Sequence, residues 1–280
     1  MRAVLGVDAA WTVTQPSGVA LAVETGNGWE LRAVEASYTN FLAVGEHKSA
    51  ERPARPARPT GSAAEPARLL AAARTIAGAD VALVALDMPL AHSPIRGRRR
   101  ADNAVSAEYG GRRCSTHSPS AERPGPVSDR LRLGFAEAGY PLRTLEMGTP
   151  GILEVYPHPA LVELTGAPMR LPYKAAKTTR YWPDCDAVER RRRLFAEWMR
   201  IASRLDGKIR GVEAMFSCPA ADHRGSLLKS YEDRLDAVVC AWIGICVLEG
   251  RARSFGDADA AIWVPLGEKT AADAAAKPLR

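Results

Sequence analysis

Two short apolar runs of this chain each end at an aspartate. The first covers residues 3–7 and is followed by Asp8, and the second covers residues 81–86 and is followed by Asp87. Runs of this length and composition predict strands that are buried on both faces of a sheet. In open α/β sheets, ligands bind at the carboxyl ends of the strands. The runs therefore predict an α/β fold with two carboxylates at a binding edge, although an aspartate after a strand also commonly forms a turn.

The segment after Asp8 predicts an antiparallel meander. Residues 17–24 and 29–36 have the composition of strands, and the sequence Thr25-Gly26-Asn27-Gly28 between them is a strong turn signal. Residues 51–61 contain three prolines and three arginines. This composition predicts an exposed loop without regular structure.

The segment before Asp87 predicts a crossover helix. Apolar residues recur at helical spacing over residues 63–77, with Ser62 as the expected N-cap and Gly78 as the expected stop. A right-handed crossover through this helix places the second aspartate strand parallel to the first and beside it. Asp8 and Asp87 are therefore expected to be neighbours at one edge of the sheet.

Residues 92–150 differ in composition from the rest of the chain, because they are rich in arginine and in Ser/Pro turns. They have too few apolar residues for a core of their own, so we interpret them as an insertion in a single domain spanning residues 1–270. The chain carries a formal net charge of +6, and clustered arginines suit a polyanionic partner as well as they suit a solvated surface. The candidate phosphate-binding residues are Arg98, Arg99, Arg100, Arg112 and Arg113.

Residues 152–156 predict one more buried strand, which completes a mixed five-stranded sheet flanked by helices. Glu154 lies inside this strand, and a buried carboxylate is costly unless it has a partner. It is therefore either a hydrogen-bonded structural residue or a supporting residue of a ligand site. His158 stands between two prolines and is interpreted as a turn residue. Lys174 is a further candidate for a phosphate contact.

The last informative segment is a predicted helix over residues 227–244, which follows an amphipathic helix at 184–205. Asp233 and Asp236 are three residues apart and share one face of the later helix. Acidic side chains beside a buried helix face favour a bound cation over a purely solvated surface. Residues 261–264 are a candidate terminal strand, and residues 271–280 are expected to form a flexible tail.

These elements bring four aspartates, Asp8, Asp87, Asp233 and Asp236, towards one point above the sheet edge. Ligand sets made only of carboxylate oxygens suit hard divalent cations, chiefly Mg²⁺ or Mn²⁺. Two such ions about 4 Å apart clamp the attacking and leaving oxygens of a phosphodiester. The sequence therefore predicts a two-metal site.

The same order of elements resembles the ribonuclease H-like superfamily, on its RuvC-type resolvase branch. More closely, the chain resembles the family called domain of unknown function 429, which consists of predicted nucleases of that fold. The resemblance covers roughly residues 3 to 250. The motifs that carry it are Gly6-Val7-Asp8, Asp87-Met88-Pro89, Glu154-Val155-Tyr156-Pro157 and Asp233-Arg234-Leu235-Asp236-Ala237.

The resemblance implies a metal-dependent nuclease that acts on DNA or RNA without reading its sequence. It assigns Asp8 to both ions and Asp87 and Asp236 to one ion each. Asp233 would bind an ion directly or through water. Glu154 and Lys174 would support the site.

Two other functions remain open at this point. The first is a non-catalytic nucleic-acid-binding or regulatory module on the same fold, since a fold does not fix a function. The second is a sugar-kinase-like ATPase, which needs a glycine and a hydroxyl group soon after the first aspartate. Ala9-Ala10-Trp11 fills that place here, so this function ranks last.

The start of the chain and its cysteines predict a location. No signal peptide opens the sequence, no stretch approaches the ~20 apolar residues of a membrane-spanning helix, and the five cysteines include no CxxC pair. These features predict a protein of the reducing cytoplasm. The sequence leaves the oligomeric state open, and a homodimer is compatible with it.

Overall fold

A computed structural model describes residues 1–46, 59–220 and 223–267 as an α/β protein built on one mixed sheet. Two predicted segments, residues 51–58 of the loop and the tail from residue 271, lie outside the described residues. The strands are β1 (Ala3–Asp8), β2 (Gly18–Thr25), β3 (Gly28–Glu35), β4 (Val81–Leu86), β5 (Gly151–Val155), β6 (Ala252–Gly256) and β7 (Ala261–Pro265).

Over the described residues the strand order is β3-β2-β1-β4-β5-β7-β6. β1, β2 and β3 form the predicted antiparallel meander, and β4 and β5 continue from β1 in parallel. The backbone N–H of Asp87 donates a hydrogen bond of 2.9 Å to the carbonyl oxygen of Val7. The prediction that Asp8 and Asp87 follow adjacent parallel strands is therefore confirmed.

The predicted number of five strands is wrong, because the sheet continues beyond β5. β7 contains the candidate terminal strand and pairs in parallel with β5, and β6 pairs with β7 in antiparallel orientation. In β6 only Phe255 is buried. An edge strand with one buried side chain has no run of apolar residues that would reveal it in the sequence.

Helices cover both faces of the sheet and form two large apolar cores. Val4 faces one core and Leu5 the other, as the two-residue period of a strand requires. The helices are α1 (Tyr38–Glu46), α2 (Pro66–Ala77), α3 (Arg100–Tyr109), α4 (Pro126–Glu137), α5 (Pro157–Thr165), α6 (Thr178–Tyr181), α7 (Ala187–Asp206), α8 (Val212–Met215) and α9 (Ser226–Leu248). Among the described helices, none is long and apolar enough to cross a membrane.

Two details of the predicted helices need correction. α2 ends at Gly78 in the left-handed conformation, as predicted, but it begins at Pro66 after Glu65, so Ser62 is not its N-cap. His158 is not a turn residue, because α5 begins at Pro157 and His158 is buried in its first turn. Proline is well tolerated in the first turn of a helix, where its missing N–H is not needed.

The arginine-rich segment packs onto the main body through its helices. Ala101, Val105 and Tyr109 of α3 join an apolar cluster with Phe255 of β6 and Ile262 of β7. α4 contributes Leu131 and Phe135 to the core that also holds α2. The few apolar residues of this segment therefore find their partners on the main sheet.

Close contact between two backbones positions α9 on the sheet. A Cβ atom at Gly6 would lie 2.2 Å from the carbonyl oxygen of Ala237, and one at Gly18 would lie 2.0 Å from the carbonyl oxygen of Asp233. Cβ atoms do not approach other atoms this closely, so only glycine allows the helix to rest directly on β1 and β2. Gly18 is also the strand partner of Asp8, which brings the acidic end of α9 over the end of β1.

Gly6→Ala is expected to lower the free energy of unfolding by about 2–3 kcal/mol, because the added methyl group forces α9 away from the sheet. The measurement is urea unfolding monitored by circular dichroism. Gly26→Ala is the matched control, since a Cβ atom at Gly26 meets nothing within 4 Å. Equal stability of the two variants would show that α9 does not depend on this contact.

Candidate functional site: an acidic cluster at the sheet edge

The four predicted aspartates lie on one face of the sheet, at its carboxyl edge. Val4 and Gly6 face α9, and the alternation of β1 directs Asp8 to the same side. Ala85 of β4 faces the same core as Val4, so Asp87, two residues later, points to the same side of the sheet. Asp8 and Asp87 are half-buried.

α9 supplies the other half of the cluster. Asp233 and Asp236 are 2% and 0% exposed, respectively, and both belong to the helix face that rests on the sheet. Glu232 is also buried and stands four residues before Asp236, on the same side of the helix. The sequence prediction missed Glu232, although its spacing to Asp236 was a usable signal.

Two lysines bind the helix carboxylates. The ammonium group of Lys174 lies 2.5 Å from Oδ2 of Asp236 and 3.3 Å from Oε1 of Glu232. Lys229 pairs with Asp233 one turn away on α9. Burial alone would lower the pKa of Lys174, but Asp236 and its other acidic neighbours raise it well above its usual range. Burial also opposes the charge of Lys229, but Asp8, Asp233 and Glu232 raise its pKa above the usual range, so both lysines stay charged in this site.

Further hydrogen bonds fix the orientation of the buried acids. The hydroxyl group of Tyr173 donates to Oδ1 of Asp236 at 2.8 Å, and the backbone N–H of Ala175 donates to Oε2 of Glu232 at 2.6 Å. Tyr173 and Ala175 flank Lys174 in the segment that leads into a short 3-10 helix over Ala175–Lys177. That segment is therefore held against α9 through both acids.

The cluster carries more negative charge than the lysines neutralise. Burial, followed by the charge of Asp233, raises the pKa of Asp8 to about 7. Burial, Asp8 and Asp236 raise the pKa of Asp87 well above its usual range. Burial raises the pKa of both Asp233 and Asp236 to about 6, although a lysine opposes it in each case. A carboxylate site that resists ionisation in this way favours a bound cation.

The donor atoms fit a divalent cation, although the lysines hold some of them. Oδ2 of Asp233 is buried without a hydrogen-bond partner, and carboxylate oxygens are the ligands preferred by Mg²⁺ and Mn²⁺. Across residues 1–46, 59–220 and 223–267, no three His, Cys, Asp or Glu side chains are gathered around a single metal position. An arriving ion would compete with Lys174 and Lys229 for carboxylate oxygens.

Glu154 lies beside this cluster but is bound to Arg99. Its neighbours in β5, Leu153 and Val155, face α9. Because side chains alternate along a strand, the side chain of Glu154 points to the opposite face of the sheet. Arg99 donates to both of its oxygens, at 2.6 and 2.7 Å, and the backbone N–H of Leu90 donates at 2.7 Å. Glu154 therefore has the partner that a buried carboxylate needs.

The structure does not gather the five candidate phosphate-binding arginines at the acidic cluster. Arg99 is buried against Glu154 and Asp102. Arg98 donates to Asn103 and Ser106 within its own segment. Arg100 is exposed, and Arg112 is paired with Glu163. The backbone of Arg113 adopts the left-handed conformation, with φ of 60°.

The fold and the site together define the class of this protein. This is an α/β protein in which β1, the end of β4 and the final long helix bring acidic side chains to one edge of a mixed sheet. The chain belongs to the family described as protein of unknown function (DUF429), whose model matches residues 6–261. The family resemblance inferred from the four motifs is thereby confirmed. No match was found among curated proteins or solved structures.

Proposed function

We propose that this protein is a divalent-metal-dependent nuclease with a ribonuclease H-like fold. The main support is that β1, β4 and α9 bring Asp8, Asp87, Asp233 and Asp236 to the carboxyl edge of the sheet, close enough for their charges to repel one another. The order of β1 to β5 also supports it, since an antiparallel meander is followed by parallel strands with the acids after β1 and β4.

The four aspartates would hold Mg²⁺ or Mn²⁺. When bound, such ions would stabilise the attacking and leaving oxygens of a phosphodiester. The carboxylates of α9 are presented on a helix that rests directly on β1, so their positions relative to Asp8 are fixed before substrate arrives. Lys174 keeps Asp236 and Glu232 in place and adds positive charge near the substrate phosphate.

The proposed substrate is nucleic acid, bound without sequence readout. The basic residues near the site are suited to phosphate oxygens, which are the same in every sequence. The proposed location is the cytoplasm, a reducing compartment that suits a protein with five free cysteines.

A second candidate function is a non-catalytic nucleic-acid-binding module. The observation in its favour is that Asp236 is paired with Lys174 and Asp233 with Lys229. In such a module the pairs with Lys174 and Lys229 would be permanent structural contacts.

Calorimetric titration with Mg²⁺ and Mn²⁺ separates the two functions. The nuclease proposal expects binding to the wild-type protein and none to the double variant Asp8→Asn with Asp236→Asn, because two ligands are lost. Asp80→Asn with Asp184→Asn is the matched control, since both aspartates are exposed and the change in charge is the same. Absence of binding to the wild type, with and without an added oligonucleotide, would favour the non-catalytic module.

A further inference from the structure

A cleft beside the acidic cluster has a basic and aromatic lining that the four aspartates do not explain. Its volume is about 260 Å³, and Asp87, Lys174 and Glu232 contribute to its lining. The remaining lining includes Arg170, Lys177, Trp11, His117, Tyr156 and His158. The cleft therefore joins the carboxylates to a set of groups of opposite charge.

Arg170 and Lys177 are available for an anion. Both are half-buried. Among the described residues neither side chain forms a salt bridge, whereas other basic groups of the same region, such as Arg112 and Lys174, are paired with carboxylates. Positive charge held in a cleft without a partner attracts anionic ligands.

The basic groups of the cleft also repel one another. Burial, then Arg170 and Lys174, lower the pKa of Lys177. Burial, then Arg170 and the two lysines, lower the pKa of His158 well below its usual range. A bound anion would relieve this repulsion, as a bound cation would relieve the repulsion among the aspartates.

Trp11 and His117 give the cleft an aromatic end. Their ring centroids are 6.4 Å apart, with the planes at 85°. Trp11 is half-buried and stands three residues after Asp8, while Arg123 lies 5.9 Å from the Trp11 ring centroid. Aromatic side chains in a basic groove bind nucleic acid bases by stacking.

We propose that this cleft is a subsite for one unpaired nucleotide of the substrate. Arg170 and Lys177 bind its phosphate, and its base stacks at Trp11 and His117. The cleft is small, just below the range of about 300–1,000 Å³ that is typical of ligand pockets, so it suits one nucleotide rather than a base pair. The inference rests on the proposed function and narrows its substrate to single-stranded nucleic acid or an unpaired end.

The test is the binding of adenosine 5′-monophosphate in the presence of EDTA, measured by calorimetry. We expect the wild type to bind and Arg170→Gln with Lys177→Gln to bind at least tenfold more weakly. Arg96→Gln with Arg180→Gln is the matched control: both arginines are exposed and lie outside the cleft lining. Affinity equal to that of the wild type in the Arg170/Lys177 variant would overturn the proposal, as would absence of binding to the wild type.

Two further binding measurements test which residues contact the phosphate and which contact the base. Adenosine, which has no phosphate, should bind the wild type more weakly than the monophosphate does. Its affinity for the Arg170/Lys177 variant should equal its affinity for the wild type. Trp11→Leu should weaken binding of the monophosphate and leave binding of inorganic phosphate unchanged. Equal affinity of Trp11→Leu and the wild type for the monophosphate would show that the base does not bind at Trp11.

Fluorescence anisotropy extends the test to the polymer. A labelled single-stranded oligonucleotide should be displaced by the unlabelled single strand at a lower concentration than by the duplex of the same sequence. Equal competition by the duplex would overturn the preference for an unpaired nucleotide. Because EDTA is present throughout, the outcome is independent of the metal titration, and either proposal can fail alone.

Discussion

Arg99→Met is expected to lower the free energy of unfolding by about 3–5 kcal/mol, which is the usual cost of removing one partner from a buried ion pair. The Arg99 side chain is 8% exposed, and those of Asp102 and Glu154 are 2% and 5% exposed. Its guanidinium group donates to both carboxylates and to the carbonyl oxygen of Leu90. Methionine would fill the space but would leave two buried carboxylates without a cation.

The matched control is Arg100→Met, one residue further along. The Arg100 side chain is 85% exposed and lies 3.7 Å from a carboxylate oxygen of Asp257, and exposed pairs of this kind contribute about 0–1 kcal/mol. Urea unfolding of both variants is the measurement. Similar midpoints for Arg99→Met and Arg100→Met would contradict the assignment of Arg99 to the buried network.

Asp8→Asn is expected to change activity and stability in opposite directions. Under the proposed function, Mg²⁺-dependent cleavage of a labelled oligonucleotide should fall by roughly a thousandfold, or about 4 kcal/mol of transition-state stabilisation. In EDTA at about pH 8 the same variant should be more stable than the wild type by about 1–3 kcal/mol, because a carboxylate that repels its neighbours has been made neutral.

The dependence of this stability gain on pH follows from the sign of the pKa shift. The pKa of Asp8 is raised to about 7 in the folded protein, whereas an aspartate in an unfolded chain has a pKa of about 3.9. The folded state therefore binds this proton more tightly, and stability falls as the pH rises from about 4 to 7. The gain from Asp8→Asn should be largest above about pH 7 and shrink towards about pH 4.

Thermal unfolding in EDTA across this pH range, with Asp80→Asn as an exposed control, measures the effect. Addition of Mg²⁺ should then stabilise the wild type and leave Asp8→Asn unchanged, since ligands that bind only the folded state raise its stability. A metal-free Asp8→Asn protein less stable than the wild type at about pH 8 would show that Asp8 is well stabilised by its surroundings.

The central part of the fold was predictable because its signals are local. The apolar runs of β1 and β4 identify buried strands, and the Gly6-Val7-Asp8 motif places a carboxylate where the first strand ends. The spacing of Asp233 and Asp236 places both on one helix face. Each of these inferences uses residues within one turn or one strand of each other, where chain geometry is fixed.

The long-range partners of Arg99 and Lys174 were not predictable, because they come from distant parts of the chain. The run Arg96-Gly97-Arg98-Arg99-Arg100 has the composition of a phosphate-binding segment, but Arg99 binds Glu154, 55 residues away. Lys174 binds Asp236, 62 residues away. Arg170 lies in irregular structure and Lys177 ends a short 3-10 helix over Ala175–Lys177. No long periodic pattern therefore marks a common face, and the cleft that joins the two residues exists only in the folded chain.

The contact of α9 with Gly6 and Gly18 has a consequence for any attempt to modify this protein. Core side chains can adjust their positions when a neighbouring residue is substituted. Two main chains in direct contact, in contrast, can move apart only if the whole helix is displaced. The distance between Asp8 and the acids of α9 is therefore insulated from repacking of the surrounding core. Substitutions that alter the geometry of this site are therefore expected at the acidic residues, at the two lysines that pair with them, and at Gly6 and Gly18.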